Sequence, residues 1–133
     1  MFATVRAADG IGLAAPQVGI GLRVAVLRLA RGGGAPFAML NPTVDWASPD
    51  EAVRAEGCLS LPGAGSAEVS RPARVAVSYT DLSGARVSLE AEGLLAACLQ
   101  HEIDHLDGVL ITDRVSRLKR DMLMRRMRKS GGR

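Results

Sequence analysis

The sequence predicts an α+β fold in which antiparallel β-sheets pack around a central helix and a C-terminal helix follows. Three observations support this class. Short alternating segments dominate the chain up to residue 91, an apolar run follows them, and an arginine-rich amphipathic segment comes last. Strands that precede helices are typical of α+β domains. With 133 residues, 47% of them hydrophobic, residues 1–133 are expected to form a single domain with one modest core.

The N-terminal segment predicts a short helix followed by a loop. Residues 2–8 fit the last two turns of a helix, with Phe2 and Val5 on one side and Gly10 placed to end it. The glycines and the proline of residues 10–19 indicate a constrained loop and not a regular element. The first strand is therefore expected beyond this loop.

Alternating apolar residues then predict two strand regions. The β-branched alternation of residues 23–29 indicates the first strand, and the glycines of residues 31–36 indicate a turn after it. Residues 37–40 predict a short buried strand that closes before Pro42, with residues 44–46 continuing the sheet past the proline.

The centre of the domain follows from a hairpin and a helix. Residues 74–80 and 86–91 alternate most clearly, and the turn residues 81–84 between them predict a β-hairpin. From residue 92 the sequence becomes apolar nearly all round and remains so until Gly108. A helix with this pattern is normally buried, so it is expected at the centre of the fold.

The last amphipathic segment predicts the C-terminal helix. Ser116 is placed to cap a helix over residues 117–129, with its arginines directed outward. Residues 114–133 contain nine Lys or Arg and one acid, Asp121, so the chain has a basic tail. The side chains expected to face inward are Leu118, Met122, Leu123 and Met127.

Composition predicts a cytoplasmic protein. No apolar run approaches the roughly 18 to 20 residues of a membrane span, so no membrane association is expected. The first residues lack the apolar core of an export signal. The two cysteines, Cys58 and Cys98, are too few for a disulfide scaffold and are expected to be reduced, as core or metal-binding groups.

The strongest chemical signal is an H-E-x-x-H motif on the predicted central helix. His101 and His105 are the chain's two histidines, and residues four apart lie one above the other on a helix, so both can bind one metal ion. The intervening Glu102 points into the same site and is a candidate general base. The alternative, two histidines that merely pack in the core, is less consistent with this spacing.

The identity of the third metal ligand decides the class of enzyme. A metal shared by His101 and His105 lies near the level of residue 103, about five residues or ~7.5 Å along the axis from Cys98. Because that distance is too long for a thiol, Cys98 is interpreted as a wall of the site. Cys58 as an isolated residue would be read as a small buried hydrophobe, but its surrounding motif changes that interpretation.

Three segments of the chain resemble the signature segments of the peptide deformylases. They are residues 10–17, 56–60 and 101–105, and they occur in the family's order. The similarity extends through residues 81–84 and 92–95 and covers almost the whole chain. The resemblance implies an α+β fold with antiparallel strands around the helix that carries the histidines, in agreement with the element predictions.

The resemblance also implies a metalloenzyme. In this family Cys58, His101 and His105 would bind one divalent metal, with water as the fourth ligand, and Glu102 would be the general base. The usual ion of the family is Fe(2+), and Zn(2+), Ni(2+) or Co(2+) can replace it. The implied reaction is removal of the formyl group from N-formylmethionyl nascent peptides, with release of formate, as a step of N-terminal methionine processing in protein biosynthesis.

The remaining site residues are likewise assigned by resemblance. The backbone N–H of Leu59 and the side-chain amide of Gln17 would stabilise the oxyanion that forms from the formyl carbonyl. The backbone of Ile11 and Gly12 would pair with an extended substrate. The residues implied to line the apolar methionine pocket are Ile11, Leu94 and Cys98.

Further expectations concern the Glu56–Arg71 pair and the lengths of two segments. Glu56 and Arg71 form either a buried pair that holds the cysteine segment or a surface pair, and the sequence leaves both open. Relative to the family pattern, the N-terminal helix is expected to be shortened, so that only its last turns are present. Residues 63–70 are built from small side chains and are expected to differ from many relatives in length.

Two other functions remain as alternatives. Another H-E-x-x-H metallopeptidase would take a third ligand downstream of the motif, for which Asp107 and Asp113 are available. A metal-stabilised binding module would instead dock through the basic helix of residues 117–129, on RNA or an acidic partner. In the deformylase family such a helix can contact the ribosome, so its removal is expected to weaken ribosome binding and spare hydrolysis of short peptides.

Overall fold

The computed structural model of the chain describes residues 1–8, 10–28 and 35–131. It is a mixed α+β structure with antiparallel strands, which confirms the predicted class. In chain order its elements are helix α1 (Phe2–Ala7), strand β1 (Gly12–Ala14), a 3-10 helix (Ala15–Val18), strands β2 (Val24–Leu27), β3 (Phe37–Ala47), β4 (Glu51–Glu56), β5 (Ala67–Pro72), β6 (Arg74–Thr80) and β7 (Arg86–Glu92), helix α2 (Gly93–Leu106), a 3-10 helix (Ile111–Asp113) and helix α3 (Arg117–Gly131).

The main sheet has five antiparallel strands in the order β1-β2-β3-β6-β7, and α2 packs against it. Their apolar faces enclose the largest core cluster, in which Leu27, Met39 and Leu99 are fully buried. Strand β7 continues into α2 without a loop because Gly93 adopts a φ of 63°, which is unfavourable for residues that carry a Cβ. The helix that bears the H-E-x-x-H motif is therefore central, as predicted.

Strand β3 is longer than the sequence suggested. The predicted short strand and its continuation beyond Pro42 are one strand, Phe37–Ala47. Its pairing with β6 contains register shifts between Leu40 and Thr43 and between Val44 and Trp46. The first irregularity accommodates the proline, which has no N–H for the ladder, and places Asn41 at a φ of 50°.

The expectation that residues 10–19 lack regular structure is wrong. They contain β1 and a 3-10 helix, because Gly12–Ala14 pairs antiparallel with β2 at the sheet edge. A three-residue strand is too short to produce an alternating pattern. The next predicted strand is confirmed over Val24–Leu27, whereas its last residue, Leu29, and residues 31–34 of the predicted turn lie outside the described residues.

The two strands of the second sheet were not predicted. Strands β4 and β5 form a two-stranded antiparallel sheet that flanks Cys58. By contrast, the predicted hairpin between β6 and β7 is confirmed, and the Asp81 carboxylate accepts hydrogen bonds from the backbone N–H groups of Ser83 and Ala85.

Helix α3 begins at Arg117, and the Ser116 hydroxyl accepts the N–H of Lys119 at 3.2 Å, which confirms the predicted cap. Leu123 is fully buried in a cluster with Leu61, Ala64, Val69 and Ile111, and Met127 packs on that cluster. The inward assignment of two residues is wrong, since Leu118 is 72% exposed and Met122 is 40% exposed. Helical geometry places Leu118 about 140° around the axis from Leu123, outside the narrow contact face. Among the described residues, no helix combines the length and hydropathy that a membrane span requires.

Candidate active site

The candidate site lies in a cavity of about 660 Å³ between β1, the end of β4 and the buried face of α2. Each wall comes from a different part of the chain: Gly12 from β1, Glu56 from β4 and Glu102 from α2. Nine of the ten site residues expected from the sequence line this cavity, namely Ile11, Gly12, Gln17, Cys58, Leu59, Leu94, Cys98, His101 and Glu102. The tenth, His105, lies directly behind it against Cys58.

Three potential metal ligands converge beside the cavity. The Cys58 Sγ lies 3.3 Å from the His105 Nε2, which in turn lies 3.1 Å from the His101 Nε2. All three donor atoms lie within 4.8 Å of one another. Helical spacing explains the histidine pair, whereas the thiol comes from the turn after β4, more than forty residues earlier in the chain.

These separations suit a first-row divalent cation. Tetrahedral coordination with typical bond lengths would place two nitrogen ligands ~3.4 Å apart and a nitrogen and a sulfur ligand ~3.6 Å apart. The observed 3.1 and 3.3 Å therefore need a change of only a few tenths of an ångström, whereas the third separation, between Cys58 and His101, is within 4.8 Å and would have to be ~3.6 Å. The downstream acids that another H-E-x-x-H enzyme would use are otherwise engaged: Asp107 pairs with Arg23, and Asp113 accepts the N–H of Leu110.

Hydrogen bonding orients the first histidine. The His101 Nδ1 lies 3.0 Å from the Glu56 Oε1. Because a carboxylate only accepts, Nδ1 donates this hydrogen bond, and Nε2 is left to face the other two potential ligand atoms. Arg71 in turn donates to both Glu56 oxygens, at 2.7 and 3.0 Å, and is 5% exposed. Of the two arrangements left open for Glu56 and Arg71, the structure therefore has the buried pair.

The charge distribution at the centre favours a cation. Although burial raises the pKa of the Cys58 thiol, hydrogen bonds with His101 and His105 lower it to about 5, which makes it a thiolate. Burial lowers the pKa of His101, but its contacts with Cys58 and Glu56 raise it to about 10, so positive charge is stabilised between these groups. Burial raises the pKa of Cys98 to about 12, and this thiol remains neutral.

Glu102 is a buried carboxylate at the wall of the cavity. Its side chain is 4% exposed, and its Oε1 is buried without a hydrogen-bond partner in the part of the chain that the structure describes. Burial raises its pKa to about 7, although His101 and His105 lower it. A buried acceptor without a partner is costly, so a hydrogen-bond donor in the cavity would stabilise this oxygen. Water or a substrate group in the cavity would satisfy it.

Glycine at residue 12 is required by the position of Glu102. A Cβ on Gly12 would overlap the Glu102 Oε2 and would lie 2.8 Å from its Cδ. The strand backbone and the carboxylate are therefore in direct contact, with no room for a side chain between them.

Strand β1 offers a free edge to the cavity. The Ile11 carbonyl accepts the N–H of Arg28 at 2.7 Å, which makes this a hydrogen-bonded pair with β2. In an antiparallel ladder the next residue points its N–H and C=O the other way, so those of Gly12 face away from β2. The backbone of Gly12 is thus available to an extended ligand, whereas the Ile11 carbonyl is already bonded within the sheet.

The Gln17 side-chain amide lies beside Cys58, and Leu59 is the next residue in the chain. The Gln17 Oε1 accepts the N–H of Ala14 at 2.8 Å, and this fixes the side chain. The Gln17 Nε2 lies 3.0 Å from the Ser60 Oγ and 3.8 Å from the Cys58 Sγ. Leu59, between Cys58 and Ser60, also lines the cavity. These positions are compatible with donors to an oxyanion beside the cysteine.

Several site residues were missed by sequence reasoning. Val53, Arg54 and Ala97 line the cavity, the first two because they belong to the unpredicted strand β4. Asp104 and Arg114 join the Glu56–Arg71 pair through further ion pairs. Asp104 lies inside the H-E-x-x-H motif. A charged residue on a helix that is predicted to be buried was the sequence signal that could have identified it.

The comparisons with known proteins agree with this site. Residues 1–121 match the polypeptide deformylase family. The peptide deformylase of Brucella suis is 51% identical over 97% of this chain and 74% of its own length, and that of Rhizobium meliloti is 50% identical over 98% and 75%.

Solved structures of peptide deformylases are similar to this chain as well. A peptide deformylase from Legionella pneumophila, 42% identical, superposes with a TM-score of 0.92 over 98% of this chain and 76% of that one. The peptide deformylase of Ehrlichia chaffeensis in complex with actinonin, 39% identical, gives a TM-score of 0.92 over 100% and 80%. On sequence, fold and site geometry together, the chain belongs to the polypeptide deformylase family.

Proposed function

We propose that this chain acts, as one catalytic domain in the cytoplasm, on N-formylmethionyl peptides and hydrolyses their formyl group to formate. Peptide deformylases are hydrolases and metalloenzymes, and deformylation of nascent peptides is the function of the family. One observation carries the proposal for these particular residues. The donors of Cys58, His101 and His105 converge within 4.8 Å beside the buried, unpartnered carboxylate of Glu102.

The proposed cofactor is one divalent cation held by Cys58, His101 and His105. Two imidazole nitrogens and a thiolate suit Fe(2+), which we propose as the physiological ion, and also Zn(2+), Ni(2+) or Co(2+). When bound, the cation supplies Lewis acidity, which polarises a carbonyl and makes water acidic enough to lose a proton near neutral pH.

The residues around the cation then transfer protons and stabilise negative charge. Glu102 accepts a proton from the attacking water as a C–O bond forms at the formyl carbon. The carbonyl oxygen gains negative charge, which the Leu59 N–H and the Gln17 amide stabilise. Glu102 returns the proton to the nitrogen as the C–N bond breaks. The products are formate and a peptide with a free N-terminal methionine.

Substrate binding uses the edge of β1 and the apolar wall of α2. The Gly12 backbone pairs with the extended peptide, in the manner of a strand added to a sheet edge. The methionine side chain enters the cavity beside Ile11, Leu94 and Cys98, which all line it. Backbone pairing holds the formyl group near Glu102, and the apolar wall selects the side chain.

The function is tested by formate release from a formyl-Met-Ala-Ser peptide with protein purified anaerobically. Formate and free α-amine should appear in equal amounts, and the acetyl-Met peptide should react far more slowly because the larger acyl group meets Glu102 and Gly12. A metal-loaded, folded protein that releases no formate would contradict the proposal.

Replacing Gly12 by alanine is expected to lower kcat/KM for the formyl peptide by about 100-fold, because the new methyl group displaces Glu102 and the strand edge. Steady-state kinetics measures the effect. Gly21→Ala is the matched control, since a Cβ there meets nothing within 4 Å. Equal loss in both variants, or loss in neither, would contradict the assigned role of Gly12.

A second interaction is proposed for α3, namely docking on the ribosome. The basic residues of this helix are exposed, and Asp121 is its one acidic residue. Phosphate groups of RNA bind such a surface in a salt-dependent manner. The earlier expectation that the helix can be removed without effect on hydrolysis does not fit its packing. Leu123 and Met127 cover the cluster on which Cys58 also packs, so truncation would disturb the metal ligand.

Charge neutralisation is therefore the better test. The triple variant Arg120→Gln, Arg125→Gln, Arg128→Gln is expected to bind ribosomes at least tenfold more weakly at low salt, with a shallower salt dependence, because phosphate contacts are lost. Co-sedimentation with ribosomes measures binding. Hydrolysis of the short formyl peptide should remain within twofold of the parent. Ribosome binding unchanged at every salt concentration would refute docking through this helix.

A further inference from the structure

A chain of ion pairs connects the metal-ligand site to the surface. From His101 it passes to Glu56, then to Arg71, then to Asp104 and finally to Arg114. Arg71 donates to Asp104 Oδ2 at 2.8 Å, and Arg114 donates to the two Asp104 oxygens at 3.0 and 2.7 Å. Each carboxylate accepts from at least two donors, and the contacts form an unbroken path.

The side chains along this path alternate in the sign of their charge. The formal charges of Glu56, Arg71, Asp104 and Arg114 sum to zero. Two carboxylates, Glu56 and Asp104, share the single guanidinium of Arg71, which is 5% exposed. Asp104 is 9% exposed, whereas the Arg114 side chain is 45% exposed. Arg71 cannot neutralise Glu56 fully while it also pairs with Asp104. The Glu56 carboxylate therefore keeps negative charge for its hydrogen bond with His101.

Stability alone does not account for such a network. Desolvation of buried ions offsets much of their attraction, and apolar side chains of similar volume often stabilise a core as well or better. Asp104 lies one turn from His101 on α2, and its contacts lead back to that histidine through two side chains. Outer partners of this kind orient metal ligands and tune their affinity.

We propose that Asp104 is a positioning residue of the metal centre, an inference that rests on the proposed metal site. By sharing Arg71 with Glu56, Asp104 keeps Glu56 an effective acceptor for the His101 Nδ1–H. This contact holds the ring with its Nε2 toward Cys58 and His105. Arg114 balances the charge of Asp104 from the surface. The network thus sets both the orientation of one ligand and the electrostatic potential at the cation.

Asp104→Asn, a change of equal size, tests the inference through Co(2+) affinity. The variant raises the net charge of the network by one, so Co(2+) should bind 10- to 100-fold more weakly, as followed by thiolate-to-cobalt charge-transfer absorption. Adding Arg114→Gln restores the net charge but not the sharing of Arg71, so the double variant should bind more tightly than the single variant yet at least fivefold more weakly than the parent. Arg114→Gln alone should bind as tightly as the parent or more tightly. Circular dichroism confirms that each variant is folded.

The matched control is Asp107→Asn, which makes the same exchange at the end of the same helix. Asp107 pairs with Arg23 on the surface, where the two side chains are 53% and 43% exposed, and Co(2+) affinity should stay within twofold. The inference is overturned if the folded Asp104→Asn protein binds Co(2+) within threefold of the parent, or if the double variant recovers the parent's affinity, which would leave only an effect of net charge. Should Asp104→Asn not fold, weaker binding by Arg114→Gln would overturn it. A parent protein that binds no Co(2+) would refute the metal site itself.

Discussion

Replacing Glu102 by glutamine is expected to reduce kcat for the formyl peptide by about 10²- to 10⁴-fold, the usual contribution of a general base. Glutamine has nearly the same shape but cannot accept the proton of the attacking water. The metal ligands are unchanged, so metal content should equal that of the parent. The fold should also persist, because the carboxylate that is removed is buried and has an oxygen without a partner among the described residues.

The measurement is single-turnover formate release together with metal analysis. Glu92→Gln is the matched control, since Glu92 precedes the same helix, is exposed and makes no side-chain cap. Its activity should remain within twofold of the parent. If the Glu102 variant retained activity within tenfold, another group would have to serve as the base.

Replacing Cys58 by alanine is expected to remove the metal and, with it, all measurable deformylation. The thiolate is the one anionic donor of the set, and the two imidazoles alone leave a weak site. A structural site of four ligands binds Zn(2+) with a free energy of roughly 10–16 kcal/mol. The loss of one ligand should therefore cost about 3–4 kcal/mol of binding free energy, or on the order of 10²- to 10³-fold in affinity. Metal analysis after dialysis measures this loss.

Cys98→Ala is the matched control for this experiment. Both thiols line the same cavity, but burial raises the pKa of Cys98 to about 12, and Cys98 is not among the three converging donors. This variant should keep its metal and change mainly KM. A Cys58 variant that retained metal and cleaved ordinary peptides would instead favour another H-E-x-x-H peptidase. The engagement of Asp107 and Asp113 elsewhere argues against that result.

Local patterns predicted the elements that depend on local interactions. Helix α2 followed from its apolar run, the cap of α3 from one serine, and the β6–β7 hairpin from its turn residues. Strand β4 was missed because it is largely exposed, and β5 because one of its two buried side chains is the charged Arg71. The exposure of Leu118 and Met122 was missed for a related reason. An amphipathic pattern indicates which side chains are apolar but not how wide the packed face is.

The sequence by itself determined the family and predicted the metal ligands and the base, because a helix converts the spacing of His101 and His105 into proximity and the motifs supply the cysteine by resemblance. Only the tertiary structure decided that Glu56 and Arg71 are buried, that Arg71 also pairs with Asp104, and that Gly12 contacts Glu102. These contacts join residues far apart in the chain. Their formation depends on how the two sheets pack around α2, and no local periodicity encodes that packing.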